Sequence, residues 1–217
     1  MKFDNRTVQV LRNFSTINPS LVFKRGSTIS TISPGKAVIA VANVQPEFPQ
    51  DFAIYDLSEF LGALSLFTDP DLDFGARSVT IASGRSKVTY IYGNEDNIVK
   101  PPPLDKLKMP ETVYEFELTS ENLSKVMKAM GTFKLPELAI TSKDGEVQVQ
   151  AINHKNPTGN VYNDVIGACD KTFRAIIHAE NLKMIPDTYT VTITQGLAKF
   201  TSKDITYYIA VEAESEF

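Results

Sequence analysis

Four glycines that follow a polar residue divide the chain into segments rich in β-branched and aromatic side chains. They lie at Arg25-Gly26, Ser83-Gly84, Asp144-Gly145 and Gln195-Gly196. Glycine readily adopts the positive φ that a two-residue hairpin turn requires, so each site predicts a β-hairpin. A short stretch with helical periodicity and then an apolar β-run precede each site. The chain is therefore expected to use a unit of strand, short helix, strand, hairpin and strand four times.

The predicted helices are short and have one apolar face. Residues 6–17 place Val10, Leu11, Phe14 and Ile17 on such a face, with a proline just beyond the end. The second helix follows Asp56 or Ser58 as the capping residue and carries Phe60, Leu61, Leu64 and Phe67. The third begins at 119–122 and carries Leu123, Val126, Met127 and Met130, and a fourth is predicted over 180–184.

Three consecutive prolines at 101–103 mark the main break in the chain, because proline cannot occupy a helix interior or a central strand. We predict an N-terminal domain over 1–100, a Pro-rich linker over 101–110 and a C-terminal domain over 111–217. Each domain would hold two copies of the repeated unit. The predicted fold class is α+β, with antiparallel sheets and a few short helices on one side.

Composition limits the classes of protein that remain. The 217 residues carry 22 Lys+Arg against 26 Asp+Glu, for a net charge of −4, so nucleic acid is a partner only if the basic residues gather on one face. A single cysteine excludes an internal disulfide and suits a reducing cytoplasm. The N-terminus has no apolar signal region, and no segment approaches the ~20 apolar residues of a membrane span.

Catalytic and metal-binding motifs are weak in this sequence. Cys169 with His154 or His178 could form a thiol nucleophile and base, but a structural cysteine and two surface histidines explain the same residues. Two histidines and one cysteine are too few for a zinc site. We therefore predict a protein that is not an enzyme and that holds no metal or cofactor.

Two loops imitate ligand-binding motifs without completing them. Residues 33–37 read Ser-Pro-Gly-Lys-Ala, which lacks the first glycine and the Ser/Thr after lysine of a phosphate loop. Asp69, Asp71 and Asp73 have the alternate spacing of a calcium loop, but Thr80 stands where the loop needs its glutamate. A solvated acidic loop over 69–73 is the expectation.

Several segments, in order along almost the whole chain, resemble the T4-type bacteriophage sliding clamps, which are DNA polymerase processivity factors. The segments are Leu11-Arg12-Asn13-Phe14-Ser15-Thr16-Ile17-Asn18, Ala53-Ile54-Tyr55-Asp56-Leu57, Phe60-Leu61-Gly62, Leu64-Ser65-Leu66, Leu138-Ala139-Ile140-Thr141, and Tyr208-Ile209-Ala210-Val211-Glu212-Ala213-Glu214 with Phe217. These are packing and strand motifs, and their order along the chain gives the resemblance its specificity.

The resemblance implies a DNA-clamp fold with two similar domains per subunit and short helices on the inner face of a homotrimeric ring. Such a ring encircles duplex DNA independently of sequence and tethers the replicative DNA polymerase. It also implies a clamp-loader ATPase and late-transcription factors as partners, in the cytoplasm of an infected bacterial host. A β-rich virion or scaffold ring is the alternative function, and an enzyme that uses Cys169 is a second one.

Three sets of residues are expected to carry these roles. The DNA-facing set is Arg6, Arg12, Lys125, Lys128, Lys134 and Lys183, although a solvated helix face also explains Lys125 and Lys128. The partner-peptide pocket set is Val99, Leu104, Leu107, Met109, Tyr208 and Val211, of which the linker residues could instead pin the linker to the domain surfaces. The subunit-interface set is Tyr90, Tyr92, Val161 and Val165, on two strands expected to be sheet edges.

Overall fold

The computed structural model describes residues 1–103, 106, 107 and 109–217. The chain divides into two compact units, Met1–Pro102 and Pro103–Phe217, and the division falls within the predicted linker. Both units are built from antiparallel strand pairs with few helices, so the predicted α+β class is confirmed. Across the described ranges, none of the helices combines the length and the hydropathy needed to cross a membrane.

The first unit begins with its longest helix. In chain order it contains α1 (Asn5–Ile17), β1 (Leu21–Phe23), β2 (Gly26–Ile32), β3 (Val38–Phe48), β4 (Phe52–Ile54), α2 (Leu57–Ser65), β5 (Asp71–Phe74), β6 (Ser78–Ser83) and β7 (Ser86–Ile91). β1 pairs with β4, β2 pairs with β3, and β5, β6 and β7 form a three-stranded sheet in that order. A 3-10 turn at Glu95–Asn97 follows.

α1 begins where a side chain can satisfy its first free backbone donor. The Asp4 carboxylate accepts a hydrogen bond from Thr7 N at 2.7 Å. The predicted apolar face is buried against β3 and α2, and Leu11 and Phe14 are wholly inaccessible to solvent. The polar face of the same helix is thereby left outward.

Aromatic rings fill the space between the strands of the first unit. Phe23 stacks on Phe52 with ring centroids 4.4 Å apart, and Tyr92 stacks on the same phenylalanine at 5.1 Å. Phe48 contacts both Phe23 and Phe52 edge to face. Such offset and edge-on arrangements suit the ring quadrupoles and fix β1, β3 and β4 against one another.

The second unit has the same kinds of element. In chain order it contains β8 (Thr112–Leu118), α3 (Ser120–Phe133), β9 (Glu137–Lys143), β10 (Glu146–Ile152), β11 (Tyr162–Ala168), β12 (Phe173–His178), β13 (Tyr189–Thr194), β14 (Leu197–Thr201) and β15 (Ile205–Ala210). Four strands form a sheet in the order β11-β10-β9-β12, and the other four pair in the order β8-β13-β14-β15. α3 packs on β9, β10 and β11.

Three of the four predicted glycine hairpins are confirmed, and one is wrong. Ser83 pairs with Ser86, Lys143 with Glu146, and Thr194 with Leu197, so two residues close each turn. All four glycines have positive φ. Gly26, however, opens β2 opposite Phe48 at a register shift, while β1 pairs with β4. Its positive φ therefore lies where the pairing of β2 with β3 is irregular, and not in a two-residue turn.

Two other predicted elements differ from the structure. The predicted helix over 180–184 is only a 3-10 turn at Ala179–Asn181, so Lys183 lies on no helix. The predicted acidic loop over 69–73 is partly the strand β5, whose Leu72 is buried while Asp71 and Asp73 point outward. The alternation of Asp71, Leu72 and Asp73 is the polar–apolar pattern of a strand, but the two aspartates led to the prediction of a loop.

The Asp144-Gly145 turn gives the first testable prediction. Both residues have positive φ, 55° and 86°, the geometry of a type I′ turn. Gly145→Ala meets no neighbour within 4 Å, so its cost is backbone strain alone, and we expect the free energy of unfolding to fall by about 1 kcal/mol. Urea denaturation measures the change.

The matched control is Gly131→Ala, which also has open space around it but lies in α3 with helical φ. There alanine should raise the free energy of unfolding by up to about 1 kcal/mol. Equal effects of the two substitutions would contradict the assignment of strain to the turn.

Candidate DNA-facing helices and assembly edges

The outward face of α1 is basic. Arg12 is exposed, and Arg6 is half-buried with its Nη1 donating to Gln9 Oε1 at 2.8 Å. The helix has no acidic residue in its first turn, and Asp4 lies outside it as the cap. Two predicted DNA-facing arginines therefore share one helix that carries no carboxylate.

α3 presents Lys125 and Lys128, both exposed, on its outward side. Lys125 Nζ lies 2.7 Å from Glu121 Oε1, one helical turn earlier. The hydrogen bond to Glu121 is the main reason that the pKa of Lys125 is raised, and the charges of Glu121 and Asp164 add to it. Because both side chains of the pair are largely exposed, a phosphate can compete for this lysine.

The last two predicted DNA-facing residues have different backbone settings. Lys134 is exposed and caps the end of α3 in the left-handed region, with φ 54° and its N–H donating to Met130 O. Lys183 is half-buried and follows the 3-10 turn, where its backbone N–H donates to Asn181 O at 3.0 Å. Lys134 thus adjoins α3, whereas Lys183 follows only a 3-10 turn.

β7 is an edge strand of its sheet, since within the described part of the chain it pairs only with β6. Its side chains alternate. Val88 and Tyr90 are half-buried, whereas Thr89 and Ile91 are exposed, Ile91 by 67%. The backbone groups on the outer side of β7 are therefore available to another strand.

The Tyr90 side chain makes contacts within its own unit. Its hydroxyl lies 3.0 Å from Asp56 O and 3.1 Å from Glu59 Oε2, and its ring meets Phe60 edge to face. Burial and the Glu59 carboxylate raise the pKa of Tyr90 to about 12, so the phenol stays protonated. Tyr92 lies one residue past β7 and stacks on Phe52, so its ring too is packed within the unit.

β11 is the corresponding edge in the second unit, and the described residues pair it only with β10. Val161 is exposed by 49% and Val165 by 56%, as their predicted interface role requires. On the opposite side of the strand, Asp164 Oδ2 accepts from Asn122 Nδ2 at 2.7 Å. Sequence reasoning did not single out Asp164, although its alternation with Val165 was visible.

The predicted pocket residues lie in both units. In the first, Val99 is exposed by 48%, while its neighbour Ile98 is buried. In the second, Leu107, Met109, Tyr208 and Val211 are half-buried. Tyr208 lies on β15 opposite Lys199, and Val211 N donates to Gly196 O at 3.2 Å. Leu104 lies outside the described residues.

A network of ion pairs that no sequence pattern predicted precedes the linker. Lys24 Nζ lies 2.8 Å from Asp51 Oδ2 and 3.4 Å from Glu95 Oε2, and Lys100 Nζ lies 3.5 Å from the same Glu95 oxygen. These exposed pairs tie the segment before the linker to the connections that follow β1 and β3. Widely separated charges of opposite sign carry no local sequence pattern, so only the fold could reveal them.

The residues considered for catalysis are engaged with separate partners. Cys169 Sγ accepts from Lys171 N at 3.4 Å, His154 contacts the buried Glu137, and His178 Nδ1 lies 3.7 Å from Glu180 Oε1. Residues 33–37 form the turn between β2 and β3, where Ser33 Oγ accepts from Val38 N at 3.1 Å. Over the described ranges, no three His, Cys, Asp or Glu side chains gather in a way that could hold a metal ion.

Both halves of the chain match family models. Residues 2–100 match the DNA polymerase processivity factor family, and residues 115–213 match the family described as gp45 sliding clamp, C terminal. The chain is 31% identical over 222 residues to the sliding clamp of Vibrio phage KVP40, which covers 98% of this chain and 100% of that one. It is 30% identical over 227 residues to the sliding clamp of Enterobacteria phage T4, covering 99% and 98%.

The fold is also similar to that of a solved clamp. The structure of A. fulgidus PCNA bound to the C-terminal region of FEN-1 superposes with a TM-score of 0.71, at 12% sequence identity, over 96% of each chain. That likeness concerns the fold and confirms the predicted DNA-clamp architecture. Together with the two family models and the phage relatives, it shows that this chain belongs to the sliding-clamp family of DNA polymerase processivity factors.

Proposed function

We propose that this protein encircles duplex DNA as a homotrimeric ring and tethers a replicative DNA polymerase to it. The observation that carries the proposal is that an edge strand with exposed apolar side chains beside or on it occurs in each unit: Ile91 on β7, and Val161 and Val165 beside and on β11. The two units then act as the two clamp domains of a subunit, joined by the Pro-rich linker.

Ring closure follows from the difference between these two edges. An edge strand presents a row of backbone donors and acceptors that another strand can pair with. If β7 of one copy pairs with β11 of the next, the contact is head to tail, and repeated rotation closes it into a ring. The exposed Ile91 and Val165 would then lie at the same joint and lose their contact with water.

The helices supply the surface that meets DNA. A clamp must hold DNA without stopping at any sequence, so closure of the ring provides retention and basic side chains provide attraction to phosphates. Arg6 and Arg12 on α1, and Lys125 and Lys128 on α3, extend from rigid elements with few carboxylates near them. Lys134 and Lys183 are proposed as further contacts outside the helices.

Polymerase capture requires a site for a short peptide. The structural neighbour from A. fulgidus binds the C-terminal region of FEN-1, which supports a peptide mode of capture in this fold. We propose that Val99, Leu104, Leu107, Met109, Tyr208 and Val211 contribute apolar contacts to such a peptide. Late-transcription factors would use the same clamp, and a clamp-loader ATPase would open and close the ring in the cytoplasm of the infected bacterium. The protein itself would have no catalytic role.

The joint between copies gives a prediction for assembly. Ile91→Ser and Val165→Ser each remove apolar surface from every joint of the ring, so we expect the protein concentration at which trimers dissociate to rise at least about tenfold. Native mass spectrometry across a dilution series measures it. Leu66→Ser is the matched control, since Leu66 is as exposed as Ile91 but follows α2. Trimers that dissociate like the parent in both variants would place the joint elsewhere.

The DNA-facing helices give a second prediction. Lys125→Glu with Lys128→Glu should weaken retention on circular duplex DNA after loading with a clamp loader and ATP, and should leave the trimer intact. Each lost phosphate contact should reduce the salt slope of binding by about one unit. Linear DNA is the test of topology, because a ring runs off its ends.

A charge-matched control separates bore contacts from net charge. Lys143→Glu with Lys203→Glu changes the net charge equally at exposed lysines outside the helices. Retention that falls equally in both double variants would show a non-specific charge effect. Release from circles and lines at the same rate would point instead to a scaffold ring that does not encircle DNA.

The proposed peptide site gives a third prediction. Leu104→Ser with Leu107→Ser should weaken the binding of a polymerase C-terminal peptide at least about tenfold, because a few apolar anchors dominate such interfaces. Trimerisation and DNA retention should remain as in the parent. Isothermal titration calorimetry provides the affinity, and an unchanged value with an intact fold would place the pocket elsewhere.

A further inference from the structure

On β7 and on β11, one polar side chain connects the edge strand to the start of a helix by hydrogen bonds. The same arrangement occurs twice, once in each unit, on elements that have no sequence in common. We propose that Tyr90 and Asp164 are positioning residues for the ring joint, holding β7 and β11 in the geometry that the next copy must meet. This inference rests on the proposed function, since it presupposes a joint between copies.

On β7 the bridge runs from the Tyr90 hydroxyl. It reaches the backbone oxygen of Asp56, the N-cap of α2, and the carboxylate of Glu59 in the first turn. The ring of Tyr90 lies 5.3 Å from that of Phe60, edge to face. The hydroxyl therefore adds a directional contact to an apolar one, and fixes how far β7 can move along α2.

On β11 the bridge runs from the Asp164 carboxylate. Asn122 in the first turn of α3 donates to it at 2.7 Å, and Tyr162 on the same strand lies 3.5 Å from the same oxygen. Asn122 is itself held by the cap, since its backbone N–H donates to Thr119 Oγ1 at 3.1 Å. A cap, a helix and an edge strand are thus linked in one chain of hydrogen bonds.

Neither bridging residue is placed to touch the next copy with its side chain. Tyr90 and Asp164 are half-buried and face their helices, while the alternate positions Ile91 and Val165 face away. An edge strand has backbone hydrogen bonds to another strand on one side only, and such strands unfold locally at a low free-energy cost. Bridges to a helix reduce that opening and so increase the fraction of subunits ready to pair.

The bridges also connect the joint with the proposed DNA-facing surface. α3 carries Lys125 one turn after Glu121, and the charge of Asp164 acts on this lysine. DNA that shifts α3 would therefore shift the anchor of β11. Thermodynamic linkage makes the effect reciprocal: if bound DNA stabilises the joints between copies, intact joints must also strengthen the binding of DNA.

Tyr90→Phe and Asp164→Ala test the proposal, and each has a control substitution at an exposed residue. Tyr90→Phe keeps the ring against Phe60 and removes only the hydroxyl, and the exposed Tyr55→Phe is its control. Asp164→Ala is compared with Asn163→Ala, which lies on the exposed side of β11. We expect trimer dissociation to become about fivefold easier per joint, the effect of one net hydrogen bond, and no change in the controls.

Amide hydrogen exchange separates positioning from general loss of stability. Exchange in monomers should quicken over 86–91 in Tyr90→Phe and over 162–168 in Asp164→Ala, with the other strands unchanged. Should Asp164→Ala fail to fold, Asn122→Asp places two carboxylates at the same bridge with little change in volume. It should weaken trimers at low salt and be partly rescued by high salt.

The outcomes distinguish this inference from the proposed function. A parent protein that never forms trimers defeats the ring itself. A trimeric parent whose Tyr90→Phe and Asp164→Ala variants dissociate and exchange like their controls overturns the positioning role and leaves the ring standing. Faster exchange spread evenly through a unit would also overturn it, because it would show a loss of global stability.

Discussion

Free backbone N–H and C=O groups along the outer sides of β7 and β11 are the constraint on which the rest of the molecule depends. Such edges must be paired, covered or blunted, since they otherwise recruit any extended chain. Here no described strand pairs with their outer sides, and the side chains next to them include the exposed Ile91 and Val165. The head-to-tail ring proposed above would pair both edges at once.

The helices stand in a consistent relation to those edges. α2 contacts β7 and α3 contacts β11, and in each case a capped first turn receives the bridge from the strand. Capping serves two purposes at these positions, because it satisfies free backbone donors and fixes the residue that holds the strand. The basic side chains of α3 extend from the same rigid body. The basic side chains of α3 and the edge strand β11 therefore lie next to each other, although the protein as a whole is acidic.

Local patterns predicted most elements and failed where two structures share one local requirement. The predicted apolar face of α1 and the Asp144-Gly145 hairpin are both found, because helical period and turn chemistry act over a few residues. The hairpin predicted at Gly26 is wrong because a glycine with positive φ can occupy an irregular strand pairing as well as a turn, and the partner of β1 is β4, far along the chain. The prediction of a helix over 180–184 is wrong because a periodic stretch of five residues is too short to stabilise an α-helix, and only a 3-10 turn forms there.

The sequence by itself determined the class of fold, the apolar faces, the absence of a strong catalytic motif and, through ordered packing motifs, the resemblance to sliding clamps. It also placed Val165 on an exposed strand, with Val161 just before it. Only the tertiary structure decided that the Tyr90 ring turns toward Phe60 and that Asp164 meets Asn122. Alternation along a strand gives two faces without saying which one a helix will cover. That choice depends on contacts between residues tens of positions apart, which no local pattern encodes.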